Sequence, residues 1–269
     1  MVAVRPLALA LAAALVAPAA RAAEPPPPVP LEYNLAVDAS VAGAAIAAGL
    51  VLGGLQSSLA PATCRWCKPG SWDGSVHDAL TWSNPQAADI TSTVVGNVAM
   101  PLSAIAYLVL SARAAGETSA GWVDSLLLAE AVGLSFLLNQ GVKYLAARQR
   151  PYAFYGDPVD KPESEKNLSF YSGHTSFAFA TAAAVTTLSA LRNYPGTAII
   201  GACSFAAAAF VGYLRIAADM HYLTDVLVGA AIGGLVGFAV PFLFHPRQET
   251  AATATGSIRP ALGGFAIAF

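Results

Sequence analysis

Apolar runs long enough to cross a bilayer recur along this chain and constrain its fold more than any other feature. A span takes about 20 apolar residues, and segments of that kind lie at 37–58, 88–112, 121–147, 175–192, 196–217 and 222–244. The expected fold class is all-α, a polytopic membrane helical bundle of about six spanning helices. Composition agrees, with 56% hydrophobic and only 11% charged residues, against roughly 25% charged in soluble domains. The formal net charge of −2 lacks the broad basic field that nucleic acid requires, so no nucleic-acid partner is expected.

The ends read differently. Residues 1–23 combine an arginine, a short apolar run and an Ala20-Arg21-Ala22 triplet, the pattern of a signal peptide or signal anchor. A Pro-rich spacer at 24–36 follows, then a unit at 37–87 with the first helix and a CxxC loop, then 88–244 with the other five spans. The tail, 245–269, is rich in small residues and has no assigned role. Within "CRWC", Cys64 and Cys67 are candidates for a local disulfide if their loop faces an oxidising compartment. A zinc site there needs more ligands than nearby His77 adds, and a thioredoxin-like role needs a βαβ context that is not apparent. Cys203, inside an apolar run, reads as a small packed hydrophobe.

Short links join the last three spans, which must pack as antiparallel neighbours. Their small-residue stretches, "AAAVTTLSA", "GACSFAAAAF" and "GAAIGGLVG", point to close backbone approach, with a cavity lining as the alternative. Alternating crossings then bring three polar clusters to one side of the membrane. Lys143 and Arg150 stand seven apart before Pro151, read as one helical face. Ser172-Gly173-His174 opens the fourth span, and Arg215, His221 and Asp225 lie between the fifth and sixth. His221 and Asp225, four apart, read as stacked on one helical face. Taken singly, Lys143, Arg148 and Arg150 could be interfacial anchors, His174 a cap, and His221 with Asp225 a structural pair. Their coincidence on one side points instead to a phosphate site.

In order and spacing, Lys143-x6-Arg150-Pro151, Ser172-Gly173-His174 and Arg215-x5-His221-x3-Asp225 resemble the three-part signature of the type 2 phosphatidic acid phosphatase (PAP2) superfamily. That superfamily also includes bacterial class A acid phosphatases and vanadium haloperoxidases. The resemblance covers roughly 88–244, with Tyr171 and Leu214 standing where proline and serine are usual. It implies a PAP2-like catalytic membrane domain in which Lys143, Arg150, Ser172, Gly173 and Arg215 bind phosphate. It further implies that His221 attacks phosphorus to give a phosphohistidine, Asp225 orients its ring, and His174 acts as acid and then base. No metal or other cofactor is expected.

So hydrophobic a chain suits a substrate that resides in the bilayer: a lipid phosphate or a polyprenyl pyrophosphate. Two other readings remain, a catalytically silent protein that binds lipid headgroups and a vanadium-dependent haloperoxidase. The expected location is the cell (inner) membrane. A cleaved signal followed by six crossings would put the site in the cytoplasm, whereas the paired cysteines favour the periplasm or exterior, the side adopted here.

Overall fold

Backbone amides find no water inside a bilayer, so each apolar run closes its hydrogen bonds on itself as a helix. The computed structural model describes residues 27–156 and 161–248. The segment read as a signal, the first residues of the spacer and the tail beyond 248 lie outside the described residues. In chain order the helices are α1 (Leu35–Gly54), α2 (Gln56–Leu59), α3 (Ser71–Leu80), α4 (Pro85–Ala114), α5 (Thr118–Ala146), α6 (Pro151–Tyr155), α7 (Gly173–Arg192), α8 (Thr197–Ala217) and α9 (Leu223–Phe244). Among the described residues α1, α4, α5, α8 and α9 are long and apolar enough to cross a membrane.

The remaining long helix, α7, occupies the centre, packed against α9, α8 and α5. Its polar side chains are satisfied internally. Ser176 Oγ meets Ser135 Oγ of α5 at 2.9 Å, while Thr181, Thr186 and Thr187 donate to the carbonyls one turn back at 2.9, 2.7 and 2.7 Å. A polar helix is tolerated here because its neighbours, not lipid, surround it. Buried Leu108, Leu127, Ala131, Ala184, Val185 and Leu188 form the adjoining core.

The sequence signals at several helix ends are plain. Asn34 caps α1 through its side chain, accepting from the amides of Ala36 and Val37 at 3.2 Å each. Asn84 caps α4 ahead of Pro85, which suits the first helical turn. The end of α5 differs from the sequence expectation. It stops at Ala146 because Ala147 turns left-handed, φ 47°, so Arg150 does not share a helical face with Lys143 but sits in the following loop. Likewise α9 begins at Leu223, so His221 precedes the helix rather than stacking on its surface.

At the end remote from these loops, the segment before α1 pairs with the residues after α9: Glu32 N donates to Pro246 O at 2.8 Å and Gln248 N to Pro30 O at 2.9 Å. Cys203 is exposed on the outside of α8 rather than packed.

Candidate active site

The loops after α5, before α7 and before α9 meet at one end of the bundle. Around His221, which is 1% exposed, the charges of Arg150, Arg215 and Lys143 all act. Burial, reinforced by those three cations, holds the His221 imidazole well below its ordinary 6.5, so the ring is neutral at neutral pH. Arg150 Nη1 approaches His221 Nε2 at 3.4 Å. A guanidinium only donates, so Nε2 presents its lone pair and the proton belongs on Nδ1.

Nδ1 faces Asp225 Oδ2 at 3.6 Å, beyond hydrogen-bond reach. Asp225 is instead saturated by other partners. It ion-pairs with Arg148, accepts from Ser169 Oγ at 2.6 Å, and accepts from Tyr222 N at 3.0 Å, which caps the start of α9.

Arg148 was open to reading as an interfacial anchor, yet it is 1% exposed. One guanidinium nitrogen binds Asp225, and the other meets Asp73 Oδ2 of α3 at 2.6 Å. Its plane lies between the Trp66 and Tyr222 rings, at 3.7 and 4.4 Å. Asp73 also accepts from Thr224 N and Thr224 Oγ1, both at 2.9 Å. Trp66 comes from the CRWC loop, closed by a Cys64–Cys67 disulfide and laid along the loop after α5 by Arg65 N donating to Ala147 O and Gln149 N donating to Trp66 O, 3.0 Å each.

The remaining cations differ in how they are held. Arg215 pairs with Asp89 of α4 and donates to Ser92 Oγ at 2.9 Å, while its buried Nε has no partner among the described residues. Lys161 takes the other Asp89 oxygen at 2.8 Å. Arg150 donates to two backbone oxygens, Glu165 O at 2.9 Å and Met220 O at 3.0 Å, and stands 3.8 Å from the Glu165 carboxylate. Lys143, among the described residues, has neither an ion pair nor a hydrogen bond.

Gly173, at the start of α7, explains its own identity. A Cβ there would come 2.6 Å from Asn139 Oδ1 and 3.4 Å from Lys143 Nζ. Asn139 cannot yield freely, because its Nδ2 holds Tyr171 O at 2.8 Å. Ser172 Oγ is buried and bonded to Thr175 Oγ1 at 2.8 Å, and Tyr171 is fully buried. His174 Nε2 meets Thr93 Oγ1 at 3.1 Å. Thr93 donates its own proton to Asp89 O at 3.0 Å, so His174 is the donor and carries hydrogen on Nε2.

From this cluster a cavity of 480 Å³ runs into the bundle. Lys143, Gly173 and His174 line one end, and Ile46, Leu50, Ile105, Leu128, Phe136 and Phe177 supply apolar walls from α1, α4, α5 and α7. Its wall on α5 extends from Lys143 back to Ser125, about 27 Å of helix at 1.5 Å per residue.

This constellation is a basic, histidine-bearing pocket at the mouth of an apolar channel, and the part of the chain that carries it is similar to known proteins. Residues 124–249, from early α5 to beyond α9, match the model described as PAP2 superfamily. The lipid A 1-phosphatase of Porphyromonas gingivalis is 30% identical over 148 residues, 54% of this chain and 29% of that protein. The chain thus spans under a third of that relative's length. A transmembrane PAP2-type phosphatidylglycerolphosphate phosphatase from Bacillus subtilis aligns with TM-score 0.39 and 19% identity over 86% of this chain and 89% of its own. LpxE of Aquifex aeolicus aligns with TM-score 0.35 and 23% identity over 56% and 92% respectively.

Proposed function

We propose that the chain hydrolyses a phosphate carried by a membrane lipid, without a metal, through a phosphohistidine on His221. The observation that carries this reading is the cradle itself: Lys143 without an ion pair among the described residues, Arg150 and Arg215 acting with it on a neutral His221 imidazole, and Lys143, Gly173 and His174 lining the end of a long apolar channel. An anion is what three convergent cations await, and a hydrocarbon chain is what such a channel accepts.

In the first step Nε2 of His221 forms a bond to phosphorus as the ester P–O bond breaks, and His174, acting as an imidazolium, gives its Nε2 proton to the departing alkoxide and is left neutral with hydrogen on Nδ1. In the second, His174 takes a proton from water, the oxygen attacks phosphorus, and the N–P bond breaks to release phosphate. Lys143, Arg150 and Arg215 neutralise the phosphoryl oxygens throughout, with the Gly173 amide at the start of α7 as an added donor. Asp225, anchored by Arg148 and Ser169, positions the Nδ1 side of His221 electrostatically. The Cys64–Cys67 disulfide lies at this end of the bundle, which supports a site facing the oxidising exterior.

The test is phosphate release by purified protein from lipid A, phosphatidate and undecaprenyl pyrophosphate, in the presence of a chelator. Turnover of one lipid, its loss in His221→Ala, and 32P trapped on His221 by an alkaline quench, in which the acid-labile phosphoramidate survives, are expected. Substrate binding with no turnover by wild type would leave a silent headgroup binder, and turnover unchanged in His221→Ala would remove the nucleophile.

A further inference from the structure

The other end of the bundle holds a second titratable cluster that the phosphatase reading does not use. Asp38 of α1, Glu130 of α5 and His245, just past α9, are 6%, 7% and 3% exposed, and one ligand atom from each lies within 4.8 Å of the others.

The bonding of each group constrains what sits among them. His245 Nδ1 lies 3.2 Å from Glu32 O, a carbonyl that can only accept, so Nδ1 carries the hydrogen. Nε2 is then left facing Glu130 Oε2 at 3.2 Å. In a neutral ring this sets a lone pair against a carboxylate. Among the described residues the Asp38 carboxylate has a single hydrogen bond, from Asn34 N to Oδ2 at 2.9 Å, and no ion pair. Two buried carboxylates and one imidazole therefore share one small space, with a ligand atom of each within 4.8 Å of the others. Even with the ring protonated the group keeps a net charge of −1, a costly arrangement away from water.

We propose that Asp38, Glu130 and His245 bind a divalent transition-metal ion of the Zn2+ type, a structural brace at the end of the bundle remote from the phosphate site. The donor set, one imidazole nitrogen fixed in tautomer by a backbone carbonyl and two carboxylate oxygens, is a zinc-like set, with the Glu32 carbonyl as the outer partner that metal-bound histidines usually have. Nitrogen and oxygen ligands about 2.1 Å from a tetrahedral ion stand about 3.4 Å apart, close to the 3.2 Å between Nε2 and Oε2. A 2+ ion cancels the two carboxylates and turns the lone pair of Nε2 from a liability into a bond. A hard ion such as Ca2+ or Mg2+ fits less well, because both prefer oxygen alone. The ion would join α1, α5 and the chain after α9, which share no covalent link there beyond the chain itself.

The test uses the full-length protein in detergent, stripped with chelator, then titrated with Zn2+ alone and, separately, with Co2+ as a spectroscopic probe. One equivalent of Zn2+ should bind, the thermal midpoint should rise by about 5 °C at saturating metal, and Co2+ should develop visible d–d absorption. In Glu130→Gln and His245→Ala the stoichiometry and the Co2+ spectrum should be lost. Should either variant fail to fold, the wild-type titration still decides. No uptake by wild type at micromolar free Zn2+ overturns the proposal, as does uptake that persists unchanged in both variants and so belongs elsewhere. Neither readout involves phosphate release, so the metal site and the phosphatase reading stand or fall separately.

Discussion

Replacing Gly233 by alanine tests how closely α7 and α9 must pack. A Cβ at that position would lie 2.1 Å from Ser176 O and 2.8 Å from Ser176 Cα, on the backbone of α7, whereas one at neighbouring Gly234 meets nothing within 4 Å. Ordinary contact begins near 3.4 Å, so the helices must part by about 1 Å. Overpacking of this kind costs about 1–3 kcal/mol, and an ångström gap along the flanking contacts forfeits up to half of their dispersion energy, which places Gly233→Ala near the top of that range. Gly234→Ala should be neutral or gain up to about 1 kcal/mol of helix propensity. The two variants should therefore differ by about 3–4 kcal/mol, on the order of 10 °C in thermal midpoint. Parting the helices also separates His174, on α7, from His221, before α9, and a 1 Å misplacement costs about 100-fold in rate. Thermal unfolding in one detergent and phosphate release from one lipid read both effects. Equal midpoints for the two variants would refute the close-packed reading of this glycine stripe.

Other substitutions address single contacts. Arg148→Lys keeps the charge but cannot bridge Asp73 and Asp225, so kcat should fall at least about 10-fold with little change in KM; a pure KM effect would place Arg148 in substrate binding instead. His221 titrates below 6.5, so the acidic limb of kcat/KM, corrected for the substrate phosphate's own titration near pH 6, should fall below that pH; a limb at or above it would contradict a buried neutral nucleophile. For His77, burial lowers the pKa, but hydrogen bonds and charges from Asp219 and Asp78 outweigh it and leave the value raised above 6.5. The stability it contributes is full below the unfolded value and fades as pH rises through the folded one. The gap in thermal midpoint between wild type and His77→Asn should accordingly narrow from pH 6 to pH 9, and a widening gap would reverse the sign.

The spans were legible because the bilayer demands a length, and length survives translation from sequence to structure. Two local details were not. The end of α5 turns on Ala147 at φ 47°, and alanine carries none of the glycine or asparagine signal that marks such a turn. Arg148 looked like a surface cation because its partner Asp73 lies 75 residues earlier, in a short helix on the far side of α4 and α5 in sequence. The polar content of α7 reflects its central place: serines and threonines bond to α5 and to their own backbone, so the helix with the weakest membrane signature is the one most enclosed by protein. Asp89, Thr93 and Ser169 escaped notice for a similar reason, each being an ordinary residue until the fold sets it beside Arg215, His174 or Asp225.

The two basic residues Lys143 and Arg148 show how charge balance separates a binding site from its scaffold. Arg148 is held by two carboxylates and two aromatic faces, so its positive charge is spent within the protein. Lys143 lines the cavity and has no ion pair among the described residues. A charge kept at low solvation without a counterion costs free energy in the ligand-free state, and replacing it by an apolar side chain of like volume should relieve that cost. Lys143→Met is therefore expected to keep stability or raise it by up to about 1 kcal/mol, while weakening competitive inhibition by phosphate or vanadate at least about 10-fold. Arg148→Met should do the reverse to stability, losing about 3–5 kcal/mol because Asp73 and Asp225 are left buried without a cation. Both measurements run on the same preparations, by thermal unfolding and by inhibitor titration. If Lys143→Met destabilised the fold as much as Arg148→Met does, Lys143 would be scaffold, and the cradle would lose a cation that has no ion pair among the described residues.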